Sequence, residues 1–313
     1  MTTGWWTRRA FSCLTRVTMV RRVLRACAAA VVVLGIGLPV AGVTAAGDPV
    51  LVGAGDIATC GGSGDAATAA LLAGIPGTVF TAGDNAYPDG SLSNYQDCYD
   101  PTWGAAFART RPSLGNHEYA TSGAAGYFAY FGSRGGSAGK GYYAYNLGTW
   151  RIYVLNSNCS RVGCGATSAQ VRWLKTDLAA NPRRCILAYW HHPLFSSGFH
   201  GNIAAVRPFW DALYAARADV VINGHDHDYE RFTRQTPSGS RSAHGIMEFV
   251  SGTGGAERRP FFTIRANSVS RSSTTFGVLK LTLHPGSYDW QFVPQAGMSF
   301  ADGGTGKACT HRA

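Results

Sequence analysis

The stretch "GHDHDYER", at residues 224–231, follows closely on the apolar run "ADVVI". It places two of the protein's nine histidines two residues apart, with aspartates between and after them. Residues i and i+2 of an extended segment project to the same side, so His225 and His227 can face one site. The stretch therefore fits either a polar loop that caps a buried strand or part of a metal site.

Similar apolar runs recur along the chain, and most of them end in glycine or polar residues. We predict strands at 49–56, 78–84, just before Asn116, twice within 141–157, at 185–192 and at 219–227. We predict helices at 63–74 with Ser63 as N-cap, at 167–181, and from about Arg207 onward, and a hairpin in the tail that turns at Pro285. Helices that alternate with the early strands, followed by hairpins, indicate an α/β fold with a mixed sheet.

Polar side chains of one kind follow five of these predicted strands. They are Asp56; Asp84 with Tyr87; Asn116 with His117; His191 with His192; and His225 with His227. Ligands of α/β folds collect outside the carboxyl ends of strands. Each residue alone could be a cap or an ordinary loop residue, but five such ends together predict one metal site.

The ordered set "GD", "GDNAY", "GNHE", "HHP" and "GHDHDYER" resembles the calcineurin-like metallophosphoesterase superfamily, over about residues 56–231. Tyr87 points to its purple acid phosphatase-like branch, of the secreted bacterial type. The resemblance implies an α/β fold in which two mixed β-sheets pack as a sandwich with helices on the outer faces. It also implies an enzyme that hydrolyses phosphate esters.

The resemblance further implies a dinuclear metal centre. One ion would be held by Asp56, Tyr87 and His227; the other by Asn116, His191 and His225; and Asp84 would bridge both. The family usually has glycine two residues after the first aspartate, but this chain has Ala58 there. A phenolate suits ferric iron, and imidazoles with an amide oxygen suit a divalent zinc, iron or manganese ion. Such a pair of ions would activate water for attack on phosphorus.

Several nearby residues are candidates for further roles. By the resemblance, His117 and His200 are candidates for binding the phosphate or protonating the leaving group. We interpret His192, between His191 and a proline, as structural. Glu118 and Arg231 are expected to orient the ligands.

The function these features favour is that of a phosphomonoesterase, acid or alkaline, acting on a small phosphorylated substrate. A phosphodiesterase with the same site is one alternative. The other is a non-catalytic metal-binding surface protein, although the presence of the full ligand set argues against it.

The first 46 residues have the composition of an export signal. They contain six arginines, no acidic residue, and an apolar stretch that ends in small residues near Ala45. We predict a secretory signal peptide at 1–46, followed by a catalytic domain at 47–313, and Met19 is a possible alternative start. A retained membrane anchor is the competing interpretation, but Gly35, Gly37 and Pro39 interrupt the apolar stretch. The expected location is therefore outside the cell or in its envelope, without a stable membrane anchor.

Composition and charge exclude other classes of protein. The chain has 313 residues, of which 45% are hydrophobic and 15% are charged, and this composition is globular. Its net charge is +10, but six of those charges lie in the predicted signal peptide. The remainder is mildly basic and contains no basic run, so we expect no nucleic-acid binding.

Six cysteines remain after the predicted signal peptide, and an even number in an exported chain predicts disulfides. A zinc cluster is less favoured because no C-x-x-C pair occurs. Cys159 and Cys164 enclose a short loop, and they are the easiest pair to close. Cys60 and Cys98 each follow a predicted ligand strand, so they can pair with each other above the site. Cys185 is then left to pair with Cys309.

Overall fold

The computed structural model describes Met1 and residues 47–310. The predicted signal peptide at 1–46, apart from Met1, lies outside the described residues. The strands are β1 Val50–Ala54, β2 Thr78–Ala82, β3 Thr110–Ser113, β4 Tyr143–Leu147, β5 Trp150–Val154, β6 Ile186–Tyr189, β7 Val220–Asn223, β8 Tyr229–Phe232, β9 Met247–Ser251, β10 Ser268–Ser272, β11 Gly277–Leu283, β12 Ser287–Pro294 and β13 Asp302–Ala308.

These strands form two mixed sheets. The first has six strands in the order β13-β12-β11-β1-β2-β3, and its β1, β2 and β3 run parallel. The second has seven strands in the order β10-β8-β9-β7-β6-β5-β4, and its β5, β6, β7 and β9 run parallel. The carboxyl ends of the parallel strands carry the residues that the sequence singled out.

The helices are α1 Gly64–Gly74, α2 Leu92–Asn94, α3 Ala125–Phe131, α4 Cys159–Val162, α5 Ala169–Ala180 and α6 Arg207–Ala215. One π-helical turn, Tyr95–Tyr99, and five 3₁₀ segments complete the helical structure of the described residues: Trp103–Arg109, His117–Ala120, Ser122–Ala124, Gly132–Gly135 and Ala204–Val206. The side chain of Ser168 accepts a hydrogen bond from the backbone of Val171 and caps α5. Ser63 stands at the predicted N-cap of α1, but its side chain makes no capping hydrogen bond.

Three clusters of buried apolar side chains fill the spaces between the layers of sheets and helices. The central cluster contains Leu51 and Leu281 from the first sheet and Leu187 and Ile222 from the second, so the two sheets pack face to face. A second cluster joins α5 and α6 to the outer face of the seven-stranded sheet, and a third joins α1 to the other outer face. The predicted sandwich of two mixed sheets with helices outside is confirmed.

The structure contains strands that the sequence analysis did not predict. The end of the opening motif, from Tyr229 to Arg231, belongs to β8, which pairs with β9 and β10. Strand β13 contains Gly303, Gly304 and Gly306 and pairs with β12 through the backbone. A strand so rich in glycine has no alternating side-chain pattern, which is why sequence reasoning overlooks it.

All three predicted disulfides are present in the structure. They join Cys60 to Cys98, Cys159 to Cys164, and Cys185 to Cys309. The last pair ties the tail to the residue before β6. None of the helices in the described part of the chain combines the length and apolar character that crossing a bilayer requires.

Candidate metal centre

The predicted ligands converge at one edge of the sandwich because both sheets direct parallel strands towards it. Hydrogen bonds between residues of the two sheets hold the strand ends together at this edge. The ring Nδ1 of His191, after β6, donates to the carbonyl of Ala82 in β2 at 2.9 Å. The backbone N–H of His225, after β7, donates to Asp56 Oδ2, after β1, at 2.8 Å.

One group of donor atoms forms around the phenol of Tyr87. Its oxygen lies 3.0 Å from Asp56 Oδ1, 3.3 Å from Asp84 Oδ2 and 3.2 Å from His227 Nε2. The distance between His227 Nε2 and Asp56 Oδ1 is 3.4 Å. These are the residues that the sequence assigned to the first ion, together with the predicted bridge.

A second group forms around His191. Its Nε2 lies 3.0 Å from Asn116 Oδ1, 3.2 Å from Asp84 Oδ2 and 3.2 Å from His225 Nδ1. The same carboxylate oxygen of Asp84 therefore belongs to both groups. The structure brings all seven predicted ligands together in two sets that share one atom.

The spacing of these atoms fits metal coordination. Ligands that lie about 2.0–2.2 Å from one ion are roughly 3–3.5 Å from one another. The measured separations within both groups fall in that interval. The donor set, which consists of carboxylate, phenol, amide and imidazole groups, is also one that transition metals accept.

The positions of the protons on the histidine rings also fit metal binding. The ring Nδ1 of His227 donates to the carbonyl of Glu257, and that of His191 donates to Ala82. In the neutral rings both Nε2 atoms therefore present lone pairs to the cluster. A cation between these atoms would be attracted by the lone pairs that they present, and the outward hydrogen bonds fix the tautomer that a ligand needs.

The ionisation of the cluster differs from one group to the next. Burial, with Asp56 and Asp84 adding negative charge, raises the pKa of Tyr87 well above 10.0, so a phenolate here needs a cation. Burial opposes a charged His191, but the Asp84 carboxylate outweighs it and raises the pKa to about 9, so a metal ion that binds there has to displace a proton. Burial and the neighbouring His191 lower the pKa of His225, which favours the neutral form that binds metals.

Glu118 holds the loops that carry Asp84 and Asn116. It is fully buried, and its carboxylate accepts hydrogen bonds from the backbone of Asp84 at 3.1 Å, Gly115 at 2.6 Å and Asn85 at 2.7 Å. The structure therefore agrees with the expectation that Glu118 orients a ligand.

Backbone strain concentrates at the same place. Asp56, Asp84 and His225 all have positive φ, at 59°, 48° and 74°. Residues other than glycine adopt this region rarely, and only when their surroundings enforce it. Gly115 is needed beside them, because a Cβ there would lie 2.1 Å from Asp84 Oδ1.

The remaining histidines border the cluster. The ring of His117 packs on Tyr87 with a centroid distance of 4.5 Å, and its Nε2 lies 3.9 Å from Asp84 Oδ2. The ring of His200 stacks on His225 at 4.2 Å. His192 bonds to the hydroxyl of Ser157 at 2.8 Å, in agreement with its structural interpretation, although its ring also lies 4.4 Å from that of His225.

The acidic residues within the opening motif hold the loop that carries His200. Asp226 accepts a hydrogen bond from the backbone of His200 at 2.7 Å, and another from the hydroxyl of Ser196. Glu230 accepts from the backbone and the hydroxyl of Ser197. Sequence analysis did not assign these roles, since the two carboxylates stand 26 and 33 residues along the chain from His200 and Ser197.

Arg231 does not orient a ligand, contrary to expectation. Its guanidinium binds Asp302 of β13 in a bidentate pair at 2.7 and 2.8 Å and lies over the ring of Trp290. The backbone of β8 directs the side chain towards the C-terminal strands, away from the cluster.

Three further residues at this edge were missed by sequence analysis. Arg259 donates to His200 Nε2 at 3.1 Å, and its guanidinium lies 5.1 Å from the ring of Phe199. Phe262 contacts Phe199 with a centroid distance of 5.5 Å. The run "RRPFF", at residues 258–262, was a visible signal, but no spacing rule connects it to the ligands.

The calcineurin-like phosphoesterase family model matches residues 46–229, which include all seven predicted ligands. The chain belongs to the calcineurin-like phosphoesterase family. It is 31% identical to purple acid phosphatase 15 of Arabidopsis thaliana over 113 residues, which are 34% of this chain and 21% of that protein. The predicted membership of the superfamily and its purple acid phosphatase-like branch is confirmed.

Solved structures share the fold of this member of the family. Purple acid phosphatase PPD1 from yellow lupin (Lupinus luteus) seeds has a TM-score of 0.69 and 18% identity, over 82% of this chain and 53% of that one. GAP50, the anchor in the inner membrane complex of Plasmodium, has a TM-score of 0.67 and 13% identity, over 84% of this chain and 90% of that one. The two neighbours differ in role, so the fold alone does not decide the function.

The bridging role of Asp84 can be tested by measuring metal content. We expect the purified protein to contain about two metal ions per chain and Asp84→Asn to lose at least one of them, because the amide carries no charge to bridge two cations. Elemental analysis measures the content. Asp211→Asn, an exposed change on α6, is the matched control and should keep both ions. Full occupancy in Asp84→Asn would contradict the bridging role.

Proposed function

We propose that this chain is an exported phosphatase that hydrolyses phosphate monoesters at a dinuclear metal centre. The observation that carries the proposal is the pair of donor groups around Tyr87 and His191, which share Asp84 Oδ2. Asp56, Tyr87 and His227 would hold one ion, Asn116, His191 and His225 the other, and Asp84 both. Two ions there would lower the pKa of a bound water and attract the charge that develops on the phosphoryl group.

The protein's own residues bind and orient the ester. Arg259 lies at the edge of the cluster, and the described residues include no salt bridge to it. A guanidinium recognises phosphate oxygens well, and it attracts the doubly charged end of a monoester more strongly than a diester. This charge favours a phosphomonoesterase over a phosphodiesterase.

We propose that His117 is the proton donor to the leaving group. Its Nδ1 donates to the carbonyl of Pro88, so in the imidazolium form the proton on Nε2, on the side of Asp84, is the one that can be transferred. The Nε2 of His200 accepts from Arg259 and has no proton to give while that bond lasts. His200 therefore fits phosphate binding better than proton donation.

Export and the metals complete the proposal. Three disulfides suit an oxidising compartment and support secretion. The phenol of Tyr87 supports ferric iron at the first site, with zinc, iron or manganese at the second. A non-catalytic metal-binding protein remains the rival from another class, and activity measurements separate the two.

A hydrolysis panel tests the function. We expect purified protein loaded with iron and a divalent ion to hydrolyse p-nitrophenyl phosphate faster than bis-p-nitrophenyl phosphate, because Arg259 favours the dianionic ester. Asp84→Asn should be nearly inactive on both, which controls for a contaminating phosphatase. Faster turnover of the diester would make the chain a phosphodiesterase, and inactivity of fully loaded protein would favour the non-catalytic alternative.

The identity of the first ion can be seen directly. If ferric iron binds Tyr87, charge transfer from the phenolate should give the protein a visible absorption band. Tyr87→Phe should then bleach it, because no phenolate remains, and absorption spectra with iron analysis follow both. An active, colourless wild-type protein without iron would contradict the iron assignment and leave the phosphatase proposal standing.

The proton donor can be identified from the dependence on the leaving group. His117→Ala should slow alkyl phosphates about a hundredfold and p-nitrophenyl phosphate only slightly, because nitrophenolate leaves without a proton. His200→Ala should slow both substrates to a similar extent, because it weakens phosphate binding. Steady-state kinetics of both variants, at unchanged metal content, distinguish the two roles. If His200→Ala slows only the alkyl phosphates and His117→Ala slows both substrates, His200 is the proton donor.

A further inference from the structure

We propose that Phe199 and Phe262 form an aromatic subsite beside the metal centre, which binds a flat aromatic group of the phosphate ester. The inference rests on the proposed function and names the class of substrate: an ester whose alcohol part carries an aromatic ring. Three observations support it: the exposure of the two rings, their position relative to the metal centre, and the anchoring of the backbone that carries them.

Exposure is the first observation. Phe199 is 53% exposed and Phe262 is 64% exposed, although their rings contact each other at 5.5 Å. Single exposed apolar side chains are ordinary on protein surfaces, whereas two exposed rings in contact beside a polar cluster offer apolar surface to a ligand. Their rings are inclined by 62°, so they form two walls and not a closed stack.

Position is the second observation. Rings follow one another outward from the cluster: His225 to His200 at 4.2 Å, then His200 to Phe199 at 5.1 Å. Arg259 lies against both His200 and Phe199. A phosphate held at the cluster and at Arg259 would therefore direct its ester group past His200 onto the two phenylalanines.

Rigidity is the third observation. The backbone N–H of Phe262 donates to the carbonyl of Ser197 at 3.0 Å, and that of Arg265 donates to the hydroxyl of Ser197 at 2.9 Å. Glu230 in turn accepts from Ser197 and anchors both loops to the opening motif. The backbone that carries the two rings is therefore anchored before any ligand arrives, which lowers the entropic cost of binding.

Two phosphonates, which cannot be hydrolysed, test the subsite separately from the chemistry. We expect phenylphosphonate to inhibit hydrolysis of p-nitrophenyl phosphate with a constant about tenfold lower than that of methylphosphonate, since contacts with two rings favour the phenyl group. Phe199→Ala and Phe262→Ala should each lower this preference by about threefold, and the double variant should abolish it. Calorimetric titration of the same compounds gives the preference without any turnover.

Ile264→Ala is the matched control. Ile264 is 47% exposed on the same loop, so its removal takes away apolar surface without removing a ring, and the preference should persist. All these side chains are exposed, and thermal melts confirm that the variants fold. An unchanged preference in the double variant, or equal inhibition by the two phosphonates together with no loss on either ester below, overturns the inference while ester hydrolysis upholds the proposed function. If neither phosphonate binds and no ester is hydrolysed, the inference and the function fail together.

The position of the ring in the substrate can be read from two esters. Phenyl phosphate carries its ring on the ester oxygen, and adenosine 5′-monophosphate carries its ring on the far side of a sugar. The double variant should lose about tenfold in kcat/KM on whichever of them fits the walls, and methyl phosphate should be unaffected. Loss on the phenyl ester assigns aryl phosphates, loss on the nucleotide assigns nucleotides, and loss on neither overturns the inference.

Discussion

The structure is organised around one buried carboxylate. The Asp84 oxygen that both donor groups share lies within 3.3 Å of Tyr87 and His191, where it accepts a hydrogen bond from the phenol and pairs with the imidazole. The fold therefore has to hold buried polar groups from both sheets close together around this oxygen. It does so with strained backbone at Asp56, Asp84 and His225, and with the buried carboxylate of Glu118 behind them. Such strain costs stability and is often found at functional sites.

The opening motif connects this cluster to the rest of the molecule. Its histidines face the cluster, while Asp226 and Glu230 hold the loop at the mouth of the site. Its last strand reaches the tail, because Tyr229 and Arg231 both bond to Asp302 of β13. A motif that sequence analysis treats as a ligand motif thus also positions the site's outer wall and anchors the C-terminal strand.

Sequence analysis could predict where the ligands lie because strand ends follow a rule that acts over a few residues, and the resemblance to a known family assigned each ligand to an ion. Apolar runs that end in polar residues mark strand ends, and parallel strands bring those ends together. The partners of β13, the anchoring role of Glu230 and the place of Arg259 depend on contacts between distant parts of the chain. The error at Arg231 has the same origin, since the side to which it points depends on β8, a strand that the sequence did not reveal.

Two kinds of charged group lie at different depths in the site. The charges of the inner groups, His191 and Tyr87, change with proton or metal binding, whereas the charge of Arg259 at the mouth does not. His191 and Tyr87 are buried, and their charges depend on what the cluster binds. At the mouth, burial lowers the pKa of His200, and Arg259 adds to this effect against the opposing charge of Asp226. A guanidinium keeps its charge over the physiological pH range, so the mouth attracts an anion whatever the protonation of the inner groups. Capture of the substrate and its chemistry can therefore respond differently to pH, since they depend on different residues.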